Sequence, residues 1–211
     1  HLSSGTWDLE ADNVIALRSK LAQGGTPLGE YCDGKLLRGV VTGANDVFVV
    51  DEQLRAKLIA EDKSSEEIIK PLLQGSQIRP WHVQQTHQFI VFTRRGIEID
   101  NYPAVKKYLE SHRSRIEPRP TDWAAKKNGK WNGRKPGAYL WYEIQDAIDY
   151  WKDFDSAKIL WPDISKLPRF SMDSDGHYLT NTGYVIPNGD YFLLGVLSTW
   201  ATWFFISKTA Q

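Results

Sequence analysis

Hydrophobic positions along this chain change period several times, from the three-to-four spacing of helices to the short apolar runs of strands, and the changes mark out its elements. Val14, Leu17 and Leu21 stand at helical spacing and Gly24-Gly25 supplies a stop, so a helix is predicted over 12–22. Leu36 to Val41 and Val47 to Val50 read as two short strands around Thr42-Gly43-Ala44-Asn45, where Gly43 permits a positive φ. Glu52 to Ala60 returns to helical spacing with Leu54, Leu58 and Ile59 inward and Asp51 placed as N-cap. Ser64 and Glu67 form a capping-box pattern for a second short turn that ends before Pro71. Gln88 to Thr93 is another strand, and Tyr102 to Ile116 is an amphipathic helix with Pro103 in its first turn and Val105, Leu109, His112 and Ile116 on one face.

Periodicity then disappears. Glu117 to Ala138 mixes Pro, Gly, Asn, Trp and Lys without a repeat, which predicts a long surface loop, and loops of that length are usually functional or disordered. Tyr139 to Tyr150 regains a helix-like pattern. Lys158 to Trp161, Arg169 to Met172, His177 to Thr180 and Gly183 to Ile186 read as strands, with Asp173-Ser174-Asp175-Gly176 as a turn between two of them. Tyr191 to Ser207 holds no charged residue, but its 17 residues fall short of the ~20 needed to cross a bilayer. It is therefore expected to be a buried closing helix. Together these elements predict an α+β fold with mixed, mainly antiparallel sheets, flanking helices and long loops.

Composition adds bounds. With 211 residues, 41% of them apolar, and nine Trp, the chain can bury one sizeable core or two modest ones. The single cysteine, Cys32, excludes an intramolecular disulfide framework and a multi-Cys zinc site and fits a reducing compartment, so a cytoplasmic location is expected. The chain opens on His1, its one Met is Met172, and no targeting pattern is present, so it reads as a fragment of a larger polypeptide. Formal net charge is zero, yet Ser111 to Ala138 carries eight Lys/Arg against two acids, leaving 18 basic and 24 acidic residues elsewhere. That asymmetry suits a protein that meets an anion with one surface.

Candidate chemistry follows from these patterns. Arg38, Thr42, Asn45 and Arg79 lie at turns beside apolar segments, an arrangement that presents hydrogen-bonding groups from a rigid scaffold. In the basic surface loop over 117–138, Lys126, Lys127, Lys130, Arg134 and Lys135 suit phosphates, while Asn128, Trp131, Asn132 and Tyr139 can hydrogen-bond to or stack on bases. The same loop is equally compatible with plain solvated surface. Asp51, Glu61 and Lys63 imitate the metal-dependent nuclease arrangement of two acids and a lysine, although the pattern favours a helix where that chemistry wants a strand. His82 and His87 lack further metal ligands nearby and are expected at the surface. No G-x-G, P-loop, or Ser or Cys nucleophile motif occurs.

A resemblance joins several of these pieces. Pro27-Leu28 with Glu30-Tyr31, the run Gly39 to Asp51, Ile69-Lys70-Pro71-Leu72-Leu73-Gln74-Gly75, Tyr102-Pro103 with Leu109 and Arg119, Trp141-Tyr142-Glu143, Lys158 to Ser165, and Tyr191 to Leu197, preceded by a Trp7–Leu21 helix, follow in characteristic order. In that order and spacing the chain resembles the TaqI-like C-terminal specificity domain, the target-recognition domain of type IIG restriction-modification enzymes and related N6-adenine DNA methyltransferases. Two departures stand out: Leu197-Ser198-Thr199 where the family pattern usually reads Leu-Asn-Ser, and a longer lysine-rich loop.

The resemblance implies that residues 1–211 are a non-catalytic DNA target-recognition module. Its partners would be double-stranded DNA and the methyltransferase domain of the same polypeptide, with no membrane. The parent would bind S-adenosylmethionine and methylate adenine in a preceding domain, with an endonuclease using Mg²⁺ left open. No cofactor or metal site is expected in this segment. The lysines and Arg134 would then hold phosphates, and Arg38, Asn45, Arg79 and Asn132 would address base edges. Two alternatives remain: a nuclease built on Asp51, Glu61 and Lys63, and a carbohydrate- or protein-binding module drawing on the tryptophans.

Overall fold

Residues 10–123 and 129–209 are described by the computed structural model, and they form an α+β fold of two four-stranded sheets, a two-stranded ribbon and flanking helices. The first sheet takes the order β2 (Val49–Asp51), β6 (Gln88–Val91), β3 (Ile69–Leu73), β9 (Tyr178–Leu179). Its first three strands are antiparallel, whereas β9 lies parallel to β3, with Leu72 opposite Tyr178 and Leu73 opposite Leu179. The second sheet is antiparallel throughout, in the order β1 (Leu37–Arg38), β10 (Gly183–Pro187), β7 (Lys158–Pro162), β8 (Ser171–Asp173). Each sheet thus borrows one edge strand from the half of the chain that builds the other. The ribbon pairs β4 (Ile78–Arg79) with β5 (His82–Val83).

The larger core packs Phe48, Leu58, Ile69, Leu73, Ile90, Val105, Leu109 and Ile116 between the first sheet and the helices α4 (Glu52–Glu61), α6 (Pro103–Ser111) and α7 (Arg113–Ile116). A smaller cluster gathers Ile159, Phe170, Ile186, Leu193, Leu194 and Leu197 beneath the second sheet. Asp51 caps α4 as its position requires, its Oδ1 accepting from the Leu54 N–H at 2.8 Å.

Several expectations need correction. Val47 and Phe48 belong to a helical turn, α3 (Asn45–Phe48), because the Ala44 carbonyl accepts from both of their N–H groups and the turn drives both side chains into the core. The Ser64–Glu67 capping box does not form. Ser64 Oγ instead lies 2.7 Å from the Asp62 carboxylate, whose other oxygen accepts the Ser64 N–H. The helix expected over 102–116 breaks at His112, between α6 and α7. Tyr139 to Tyr150 is not helical, because its backbone donors go to distant partners: Ile144 to Thr93, Gln145 to Thr42 and Asp146 to Val41.

The closing segment is two helices, α8 (Tyr191–Leu197) and α9 (Trp200–Thr209), divided where the Thr199 hydroxyl accepts from the Thr202 N–H. It is not uniformly buried: α8 inserts Leu193, Leu194 and Leu197, but α9 buries no residue fully and Trp200 is 68% exposed. No helix among the described residues is long and apolar enough to cross a membrane. Asp173 to Gly176 does turn the chain, but it carries it from β8 in one sheet to β9 in the other, not around a hairpin.

Candidate nucleic-acid interface

The residues after β9 anchor a surface feature built from both halves of the chain. Thr180 N–H donates to the Leu73 carbonyl, Asn181 N–H to Val40, and Thr182 Oγ1 accepts from the Gly75 N–H at 2.8 Å. Close approach makes this possible: a Cβ on Gly75 would stand 2.2 Å from the Thr182 carbonyl oxygen, so only glycine fits there. Beside this stitched segment lie two neighbouring hollows of about 340 and 310 Å³ that share Gln74 and Thr182 in their linings and are together called the trough. Its walls carry side-chain amides and hydroxyls from Asn45, Gln74, Gln88, Thr180, Asn181 and Thr182, with Asp163 and Arg169 at the far end.

Of the turn residues singled out in the sequence, Asn45 lines this trough, and Arg79 is tied to its margin by a hydrogen bond to the Ser76 carbonyl. Thr42 is fully buried and serves the turn itself: its hydroxyl donates to Asn45 Oδ1 at 2.6 Å and accepts from the Ala44 N–H at 3.1 Å. It is therefore withdrawn from any direct contact with a partner. Gly43, at φ 79°, closes the turn. Arg38 is exposed on the edge strand β1 and does not line the trough; it lies opposite Tyr184, whose phenol is hydrogen-bonded to Asp163 in the trough wall. The Asp163 carboxylate raises the Tyr184 phenol above its ordinary pKa.

The basic loop divides sharply. Lys126, Lys127 and Asn128 lie outside the described residues. Lys130, Trp131 and Asn132 line a second, more apolar groove of about 500 Å³ with Arg113 and Trp123. Trp123 and Trp131 meet edge to face at 4.8 Å, and each indole N–H is held by a backbone carbonyl, so the ring pair is fixed. Lys135 is exposed. Arg134 is not available to phosphate, which corrects the expectation from sequence: it is 3% exposed and its guanidinium donates to the carbonyls of Ile116, Thr42, Glu143, Leu140 and Trp141. Tyr139 and Phe48 rings flank it at 4.4 and 5.2 Å. Burial pulls its pKa down to about 10, so it remains cationic at neutral pH.

This buried arginine joins the two surface features. Through its 3.1 Å bond to Thr42, the root of the basic loop touches the same turn that holds Asn45 in the trough. A second link comes from α7, where Arg115 pairs with Asp46 at 2.6 Å, one residue from Asn45 on the trough wall. Gln74, Gln88 and Asn181 are not among the contact candidates read from the sequence, since isolated amides at strand ends leave no spacing signal.

The nuclease arrangement does not assemble. Asp51 caps one end of α4 and Glu61 lies at the other, about 15 Å away for a helix of ten residues. Glu61 is instead beside Lys57. His82 and His87 are both exposed and face different partners, Pro80 and Glu52. A cluster of Asp173, Asp175 and His177 does bring ligand-type atoms within 4.8 Å. The cationic place beside it is already filled, because the buried Lys158 ammonium lies 2.5 Å from Asp173 and also donates to the Phe154 carbonyl. Burial alone would raise the Asp173 carboxyl, but the hydrogen bond from His177 and the charge of Lys158 outweigh it and hold its pKa below the usual value.

Comparison with known proteins places this geometry in context. No protein-family model matches the sequence. The type II methyltransferase M.BanIII of Aneurinibacillus aneurinilyticus is 28% identical over 188 residues, covering 81% of this chain and 29% of that protein. This chain therefore spans under a third of the length of that methyltransferase. Among solved structures, the type IIL restriction-modification enzyme MmeI in complex with DNA aligns with a TM-score of 0.50 at 17% identity, over 78% of this chain and 20% of that one. The fold described above is thus shared with part of a restriction-modification enzyme.

Proposed function

We propose that this chain is a sequence-reading module for double-stranded DNA that serves a larger restriction-modification protein. The observation that carries the reading is the meeting of an amide-lined trough and the root of a lysine-rich loop at one turn, Thr42 to Asn45. Amides are the side chains suited to base edges, and lysines the ones suited to phosphates. Likeness to a type II methyltransferase, and to an enzyme solved with DNA, supports the same reading. Base discrimination falls to the trough, while Lys130, Lys135 and the neighbouring lysines set affinity and register.

On this reading chemistry belongs to other segments of the larger protein. We infer that it is an S-adenosylmethionine-dependent adenine methyltransferase of the TaqI-like, type IIG kind, working in the cytoplasm with the cofactor and any Mg²⁺ held outside this chain. The wall of amides and hydroxyls offers no paired carboxylates for a metal and no activated nucleophile, which favours recognition over catalysis at this site.

The test measures duplex binding by the full-length protein across a salt series. Replacing Lys130 and Lys135 together by Ala is expected to weaken binding to all duplexes alike and to reduce the slope of log K against log[salt] by about two, one for each lost phosphate contact. An unchanged slope and affinity would leave the loop as ordinary solvated surface.

A further inference from the structure

We propose that Asn45 and Gln88, pre-set by hydrogen bonds, form with Asn181 a reading head for an adenine-containing base pair in the DNA major groove. The inference rests on the DNA-binding reading above and assigns its discriminating residues. Two of these amides are held by their oxygens: Asn45 Oδ1 accepts from Thr42 at 2.6 Å and Gln88 Oε1 accepts from Gln74 Nε2 at 2.9 Å. Each –NH₂ group is left without a partner among the described residues, and each oxygen keeps a second lone pair. Asn181 is held by its backbone instead, through its N–H to Val40, and its side chain makes no hydrogen bond among the described residues.

This is the arrangement that adenine requires. An amide reads adenine by accepting from N6 and donating to N7, so it must keep both a free donor and spare acceptor capacity. For Asn45 and Gln88, holding the side chain beforehand removes rotamer entropy that binding would otherwise cost. The trough is also poorly suited to phosphate. Among the residues lining the hollow that holds the three amides, Asp46 is the one charged group and it is already paired with Arg115, so that hollow presents no free cation to a phosphate. Base edges, which carry partial charges of both signs, need none.

The experiment selects bound duplexes from a randomised library with the full-length protein and sequences them, for the wild type and for Gln88→Glu and Asn181→Asp. Both substitutions keep shape and remove the donor, and thermal melting of each variant checks that it folds. The expected result is that each variant loses an adenine preference at one position of the motif, with affinity for the original site falling about 5- to 150-fold, equivalent to about 1–3 kcal/mol. Each variant also adds a carboxylate, so affinity for unrelated duplexes should fall by one uniform factor, and the loss at the original site is measured relative to that fall. If the wild type enriches a motif and both folded variants enrich the same one, the reading head is overturned while DNA recognition stands. If the wild type enriches no motif, recognition fails and this inference with it.

Discussion

Among the described residues, Arg134 donates to more backbone carbonyls than any other side chain. A guanidinium whose donors are spread over five carbonyls satisfies the backbone of a region with no ladder of its own, since the segment from Leu140 to Glu143 is neither helix nor strand. Arg134→Lys keeps the charge but offers at most three donors on a narrower head. The Thr42 and Leu140 carbonyls keep the N–H groups of Gln145 and Glu143, whereas those of Ile116, Glu143 and Trp141 rely on the spread guanidinium, which one ammonium cannot match. The variant is expected to lose about 2–4 kcal/mol in urea denaturation, at the usual cost of unsatisfied buried acceptors. A loss under about 1 kcal/mol would mean that water replaces the guanidinium. Nothing in the sequence separates this residue from its neighbours Lys130 and Lys135, because a polar loop with no period carries no burial signal. Its partners also lie up to 92 positions away.

Elements with their own periodicity were legible: α1 (Asp12–Gln23), α4 and its Asp51 cap, β6, β7 and β10 all fall within a residue or two of where apolar spacing puts them. Elements settled by tertiary partners were not. The pattern over Tyr139 to Tyr150 satisfies a helix in isolation but yields to backbone bonds with Thr93, Thr42 and Val41. Of the site, the Thr42–Asn45 turn could be read from Gly43 and its polar neighbours. The trough could not, since it requires β3 to lie beside β9, which brings Gly75 against a residue 107 positions later. That junction has a sharp test. Gly75→Ala would place a methyl 2.2 Å from the Thr182 carbonyl oxygen and force backbone apart, for an expected loss above about 2 kcal/mol in thermal or urea unfolding. Gly195→Ala, within α8 and with open space around it, is the contrast and should gain about 0.5–1 kcal/mol from helix propensity. Equal behaviour of the two would remove the argument from close approach.

At the scale of the molecule, the reciprocal exchange of edge strands means that neither sheet is complete without both halves of the chain. β1 precedes the basic loop but pairs with β10 behind it, and β9 follows the loop but pairs with β3 ahead of it. The isolated bridge between Val40 and Thr180 adds a further tie. Cleavage beside Lys130 should therefore leave two fragments that co-elute on gel filtration and unfold together, whereas residues 10–116 expressed alone should show no cooperative transition. Separation of the nicked fragments under native conditions would contradict this. The interlock also governs how such a protein can diversify. A graft confined to the lysine-rich tip between Pro118 and Arg134 leaves every shared strand intact, while a crossover between relatives at mid-chain would mate edges that never evolved against each other. Novel preferences should thus arise by rewriting tips and trough walls in place, seldom by shuffling halves.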